Sequence, residues 1–133
     1  MDTTPQHDVS AFLDRYADAL ARGDLPAVAA CYALPALVVG DAATIPVSEP
    51  AQVEAAFAGA AEAYRAQGLV RLQPELRAVD RLTGALTLVD VGWAYLDDAG
   101  RELLHSSYRY LLRRADTGQL AIQVVVDTTA AQP

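Results

Sequence analysis

Apolar residues along this chain change their period partway through. From Val9 they fall at Val9, Phe12, Leu13, Tyr16, Ala19 and Leu20, the three-and-four spacing of one helical face. Thr4 and Pro5 read as cap and first residue of that helix, and Arg22-Gly23 as its stop. Asp24 can cap a short second helix running to about Tyr32, which Pro35 breaks. Ala36 to Val39 and Thr44 to Val47 then form a small hairpin around Gly40-Asp41. A third helix follows, capped by Ser48, with Val53, Ala56, Phe57, Ala60 and Tyr64 as its stripe and Gly68 beyond its end. From Leu69 to Asp127 the period becomes two. Turn residues at Thr83-Gly84, Asp97 to Gly100 and Ala115 to Gly118 cut this region into a four-stranded antiparallel meander. The tail from Thr128 to Pro133 reads as a fray.

Tight turns fix the register by arithmetic: Leu96 opposes Arg101, Trp93 opposes Leu104, and Val91 opposes Ser106. One sheet face then carries Val89, Val91, Trp93, Leu104, Tyr108, Tyr110 and Leu112. The other carries Leu86, Leu88, Asp90, His105, Ser107, Arg109 and Leu111. Continued through the last turn, Tyr110 faces Gln123, Tyr108 faces Val125 and Ser106 faces Asp127, which turns Gln123, Val125 and Asp127 inward. A one-residue change in loop length would turn Val124 and Val126 inward instead. An aromatic, apolar sheet face needs cover, and the N-terminal helices supply it. The expected fold is a single α+β domain over 1–133, with three helices packed on one face of the sheet.

At 133 residues the chain can bury a substantial core, and 53% hydrophobic with 20% charged residues is ordinary for a folded domain. A net charge of −7 argues against nucleic acid and against anionic membranes as partners. Cys31 is the only cysteine, so no internal disulfide is available, and its small apolar neighbours point to a buried thiol. His7 and His105, without clustered carboxylates, make no metal site, and no cofactor is expected. Met1 to Asp8 lacks the pattern of a signal peptide, so a cytoplasmic location is expected.

Three stretches carry a resemblance: Arg15-Tyr16, then Arg22-Gly23-Asp24-Leu25-Pro26-Ala27-Val28 with Cys31-Tyr32-Ala33, and the closing Tyr110 to Arg114 hairpin with Asp116-Thr117-Gly118. In these the chain resembles the nuclear transport factor-like superfamily, also called SnoaL-like or ketosteroid-isomerase-like, over about Asp8 to Asp127. The resemblance implies a cone: a curved antiparallel sheet and three helices enclosing a pocket. It leaves function open, since the fold hosts isomerases, cyclases, dehydratases and binding domains.

The resemblance also places Tyr16 where ketosteroid isomerases carry an oxyanion-donating tyrosine. Their base aspartate falls at Gly40, with Asp41 next to it, and their second oxyanion acid falls at Tyr110. The isomerase set is therefore incomplete. Three readings follow. The first is a homodimeric binding domain for a hydrophobic small molecule, with Tyr16, Trp93, Tyr108, Tyr110, Gln123 and Asp127 in contact with it. The second is an acid–base enzyme of isomerase, cyclase or dehydratase type on a hydrophobic cyclic substrate, with Tyr16 as donor and Asp127 or Asp41 as base. The third is a dimerisation module with a filled core. The dimer is expected on the outer face, where Leu86, Leu88, Leu103, Leu111, Leu120, Ile122, Val124 and Val126 share the parity of His105. Family members commonly pair that way. Asp90, His105, Ser107 and Arg109 read as a cross-strand polar cluster on the same outer face.

Overall fold

The computed structural model describes residues 4–131. Its elements run α1 (Thr4–Arg22), α2 (Leu25–Ala30), β1 (Tyr32–Val39), β2 (Thr44–Val47), α3 (Pro50–Phe57), α4 (Ala60–Ala66), β3 (Arg71–Arg81), β4 (Leu86–Leu96), β5 (Glu102–Arg114) and β6 (Leu120–Asp127), closed by a 3-10 turn over Thr129–Ala131. The strands form one sheet in the order β2-β1-β6-β5-β4-β3. The meander β3 to β6 is antiparallel throughout, and β1 joins it by pairing parallel to β6. The expected hairpin is thus an extension of the main sheet.

The helical stripe of α1 faces the sheet: Val9, Phe12 and Leu13 are each 1% exposed. Gly23, at φ +70°, ends that helix, and a Cβ there would come within 3.0 Å of the Ala61 Cβ on α4. Asp24 then starts α2 by accepting from the Ala27 N–H at 3.2 Å. The third expected helix is interrupted. Gly59 adopts φ +81° and separates α3 from α4, so the helical cover bends over the sheet. Its start also differs by one residue: the Gln52 side chain accepts from the Ser48 and Glu49 N–H groups, and Pro50 opens the helix. Of the N-terminal cap, Thr3 and the side chains of Thr4 and Pro5 lie outside the described residues.

Both sheet registers differ from the tight-turn arithmetic by two residues, for the same reason. Asp97 closes its turn one residue wider, its N–H donating to the Arg101 carbonyl, and a bulge between Tyr95 and Leu96 adds a second residue. Trp93 therefore opposes Ser106, and Val91 opposes Tyr108. Two shifts restore parity, so Val89, Val91, Trp93, Tyr110 and Leu112 share the inner face as expected. In the next hairpin Arg114 opposes Leu120, Leu112 opposes Ile122, and then a bulge at Gln123 sets Leu111 opposite Val124 and Tyr110 opposite Val125.

Turn and bulge together correct the assignment of β6. The turn, closed by the Ala115 N–H on the Gln119 carbonyl, is one residue wider and brings Leu120 and Ile122 inward, and the bulge then restores the expected facing. Leu120 and Ile122, expected outside, are core residues at 7% and 0% exposure. Beyond the bulge Val125 faces in, while Val124 and Val126 stay outside. Gln123, expected inward, sits in the bulge itself. Its amide donates to the Ala33 and Pro35 carbonyls and its oxygen accepts from Arg113, so it ties β1 to β6. The tail is more than a fray as far as residue 131: the Thr129 hydroxyl accepts from the Ser107 N–H at 3.0 Å and faces its carbonyl at 3.2 Å. Residues 132 and 133 lie outside the described residues.

If the wider turn and the bulge set this facing, Ile122→Ala should lower the unfolding free energy by about 2–5 kcal/mol. Val124→Ala should cost clearly less. Equal costs in chemical denaturation would contradict the facing.

Candidate functional site

Helices and sheet do not meet everywhere. Between α1, α3, α4 and the inner sheet face lies a cavity of about 200 Å³. Its walls draw together nearly every aromatic residue of the chain. All six tyrosines, the single tryptophan and Phe57 line it, and Phe12 alone is elsewhere. Leu20, Val38, Val47, Val53, Leu72 and Val125 complete an apolar lining, with Gln52 and Ala56 of α3 at the exposed rim.

Tyr16 is the hub. Helical spacing from Phe12 puts the two rings in a stack at 6.3 Å. The Tyr16 ring also meets Tyr32, Trp93 and Tyr110 edge-on at 6.0, 6.0 and 6.4 Å. Its hydroxyl lies 2.6 Å from that of Tyr32. On the sheet side, the Trp93 indole N–H donates to the Tyr110 hydroxyl at 2.8 Å, and Tyr110 stacks on Tyr108 at 5.8 Å. Tyr95 pairs with Ser106 at 2.9 Å and packs against Tyr64 across the cavity. Among the described residues, the Tyr110 O–H meets no acceptor. The Tyr16–Tyr32 pair holds two O–H groups for one shared bond. Each pair therefore keeps a donor to spare, strengthened by the bond its oxygen accepts.

Burial sets the acid–base behaviour of these phenols. It pushes Tyr16 and Tyr110 well above the ordinary 10.0 for tyrosine, with the neighbouring phenols adding to the effect at Tyr16. Burial likewise pushes Tyr32 and Tyr108 up to about 12. All are neutral donors near pH 7. Among the described residues, no carboxylate, histidine, lysine or arginine lines the cavity.

Of the residues singled out from sequence, Tyr16, Trp93, Tyr108 and Tyr110 come together in this wall. Gln123 does not, being held in the β6 bulge. Asp127 opposes Tyr108 in the register but lies exposed at the strand end, where it accepts from the Thr129 N–H at 2.9 Å. It lines a separate surface groove with Asp41, which follows β1 on an exposed loop. Tyr32, Tyr64 and Tyr95 are not among the site residues expected from sequence, yet all three line the cavity. Alternation from Trp93 carried the signal for Tyr95, and the stripe of α4 carried it for Tyr64. Tyr32 was hidden because it read as a helix end, whereas it opens β1. The polar cluster of the outer face takes in residues no spacing rule joins: Arg77 reaches His105 at 2.9 Å and Ser107 at 3.2 Å, lying directly over Gly92. Asp90 opposes Arg109 instead of Ser107. Among the described residues, no group of three or more His, Cys, Asp or Glu is placed to hold a metal ion. Buried Cys31 directs its thiol to the Ala27 carbonyl at 3.4 Å, and burial pushes that thiol up.

These shifts carry a sign. An unfolded tyrosine ionises near 10.0, whereas the buried ones hold their protons longer. Unfolding above that pH releases protons, so the tyrosines' contribution to stability is constant well below pH 10 and falls as pH rises through 10 toward and past 12. Denaturation at stepped alkaline pH, followed together with phenolate absorbance, should show delayed titration and loss of fold in one step. Normal titration of all six tyrosines in the folded protein would contradict the burial.

Comparison with known proteins agrees with this architecture. A search of curated proteins finds no match. Among solved structures, a domain with a cystatin-like fold from Nostoc punctiforme superposes with a TM-score of 0.73 at 20% identity, covering 97% of this chain and 79% of that one. A ketosteroid isomerase-like protein from Erwinia carotovora atroseptica gives 0.62 at 17% identity, covering 91% and 92%. An NTF2-like protein with a cystatin-like fold from Novosphingobium aromaticivorans gives 0.67 at 16% identity, covering 92% and 79%. At these identities the likeness is one of fold. The family model described as "NTF2-like protein (DUF6841)" matches residues 6–129, nearly the whole chain, and the chain belongs to that family.

Proposed function

We propose that this domain binds a small, planar, hydrophobic molecule in the aromatic cavity and works as a homodimer joined through the outer sheet face. The observation that carries the reading is the concentration of eight of the chain's nine aromatic side chains around one cavity. A core filled for stability alone has no need to leave about 200 Å³ open among them. The size also constrains the occupant. An apolar cavity of roughly 150 Å³ takes a benzene ring, and drug-sized ligands use roughly 300–1,000 Å³. One or two fused rings fit that range; a four-ring steroid does not. The spare O–H of Tyr110 and of the Tyr16–Tyr32 pair would meet an acceptor oxygen on the ring. Trp93 and Tyr108 would supply flat contact area.

Binding ranks ahead of acid–base catalysis for a stated reason. Proton abstraction needs a base within hydrogen-bond reach of the reacting atom, and Asp41 and Asp127 both line a different groove from the cavity. The phenols are too weakly acidic to serve as the base. For the dimer, the support is a cross-strand row of Leu88, Leu111 and Val124 on the outer face, with Leu103 at 48% exposure near the other end of β5.

Calorimetric titration with a one-, two- and four-ring series should give saturable binding for the smaller members only. Ala56→Phe at the exposed rim should abolish it, and Tyr16→Phe should weaken oxygen-bearing rings more than bare ones. Absence of binding across the series, or tighter binding of the four-ring member, would contradict the reading. Leu111→Glu should leave a monomer in sedimentation; an unchanged dimer would contradict the outer-face interface.

A further inference from the structure

A second compartment adjoins the cavity. The open groove of about 660 Å³ at the ends of β1 and β6 shares two lining residues with it, Val38 and Tyr108. These two side chains form the partition between an inner, aromatic space and an outer, acidic one. Asp127 stands directly across the strand pair from Tyr108, and Asp41 enters from the β1–β2 loop. Among the described residues, neither space is lined by a lysine or arginine.

We propose that the site has two parts and selects molecules whose aromatic ring enters the cavity while a positively charged group, an amine on a short tether, passes Tyr108 to meet Asp127 and Asp41. This rests on the cavity being a ligand site and adds the class of ligand. Three independent features favour that charge. Ring faces attract cations as well as flat apolar groups. Two carboxylates flank the exit with no lining cation to neutralise them. A net charge of −7 raises the local concentration of cations around the whole molecule. Tyr108 and Asp127 are close enough for the carboxylate charge to add to the upward push on the phenol, so a group passing Tyr108 comes within reach of that charge. An anionic tail would meet repulsion at the same point.

Phenethylamine, phenethyl alcohol and phenylacetate share a ring and a tether length and differ in terminal charge. Titrated near neutral pH and low salt, with Trp93 fluorescence as readout, the amine should bind about tenfold tighter than the alcohol, and the carboxylate weakest. Asp41→Asn with Asp127→Asn should bring amine and alcohol together, because asparagine keeps the oxygen that accepts from Thr129 but loses the charge. Asp116→Asn, on the exposed β5–β6 turn, removes the same charge elsewhere and should leave the preference intact. Equal affinities in the native protein, or a preference that survives the double substitution, overturns the acidic compartment while leaving the cavity as a ligand site. Failure of all three probes to bind, alongside failure of the uncharged ring series, overturns both.

Discussion

The inner face of β4 and β5 projects Val89, Val91, Trp93, Tyr110 and Leu112 to one side, and a sheet face that apolar is stable only under cover. The other elements answer to that requirement. The three-and-four stripe of α1 lies across it, α2 and β1 bring the chain to the parallel edge of β6, and α3 and α4 add Val53, Phe57 and Tyr64 to the cavity lining. Curvature leaves the cover incomplete. A twisted, bulged sheet is concave, and straight helices laid across it cannot reach its floor at every point. The gap that remains falls where the side chains are largest and flattest.

Much of this was legible in the chain. Strand alternation is strict, so any register that preserves parity puts Trp93, Tyr108 and Tyr110 together. The two-residue shift in β4–β5 therefore changed every partner and no facing. Facing in β6 was not legible, because the β5–β6 turn closes one residue wide and the bulge at Gln123 then reverses parity again within the strand. No residue type marks that bulge in advance. It is held by Gln123 reaching back to the Ala33 and Pro35 carbonyls, some 90 residues earlier in the chain. Tyr32 was misplaced for a similar reason: its local sequence favours helix continuation, and only pairing with β6 draws it into a strand. Local rules read what local geometry decides.

The site follows from the same economy. Tyrosine can be buried in a dry wall because its one hydroxyl is satisfied by another hydroxyl or an indole N–H. Pairing Tyr16 with Tyr32 and Trp93 with Tyr110 meets that demand while leaving a donor over in each pair. A carboxylate in the same wall would have carried a far larger desolvation cost. The aspartates instead stand at the strand end and on the loop, in water. That division separates donors from potential bases, which suits holding a molecule better than abstracting its proton. Fold membership is silent on this point, since one architecture can serve either purpose.

The central claim, that the aromatic cavity is a place a ligand enters, is tested most directly at Trp93, the only tryptophan in the chain. Its indole N–H gives a single resolved signal in a nitrogen–proton correlation spectrum and reports the Trp93–Tyr110 hydrogen bond. Titration with a one-ring arene should move that signal along a saturable path, together with backbone signals of Tyr16 and Val125 on the opposing walls. An indole signal that stays fixed while the arene reaches saturating concentration would contradict the claim and leave the cavity as packing space alone.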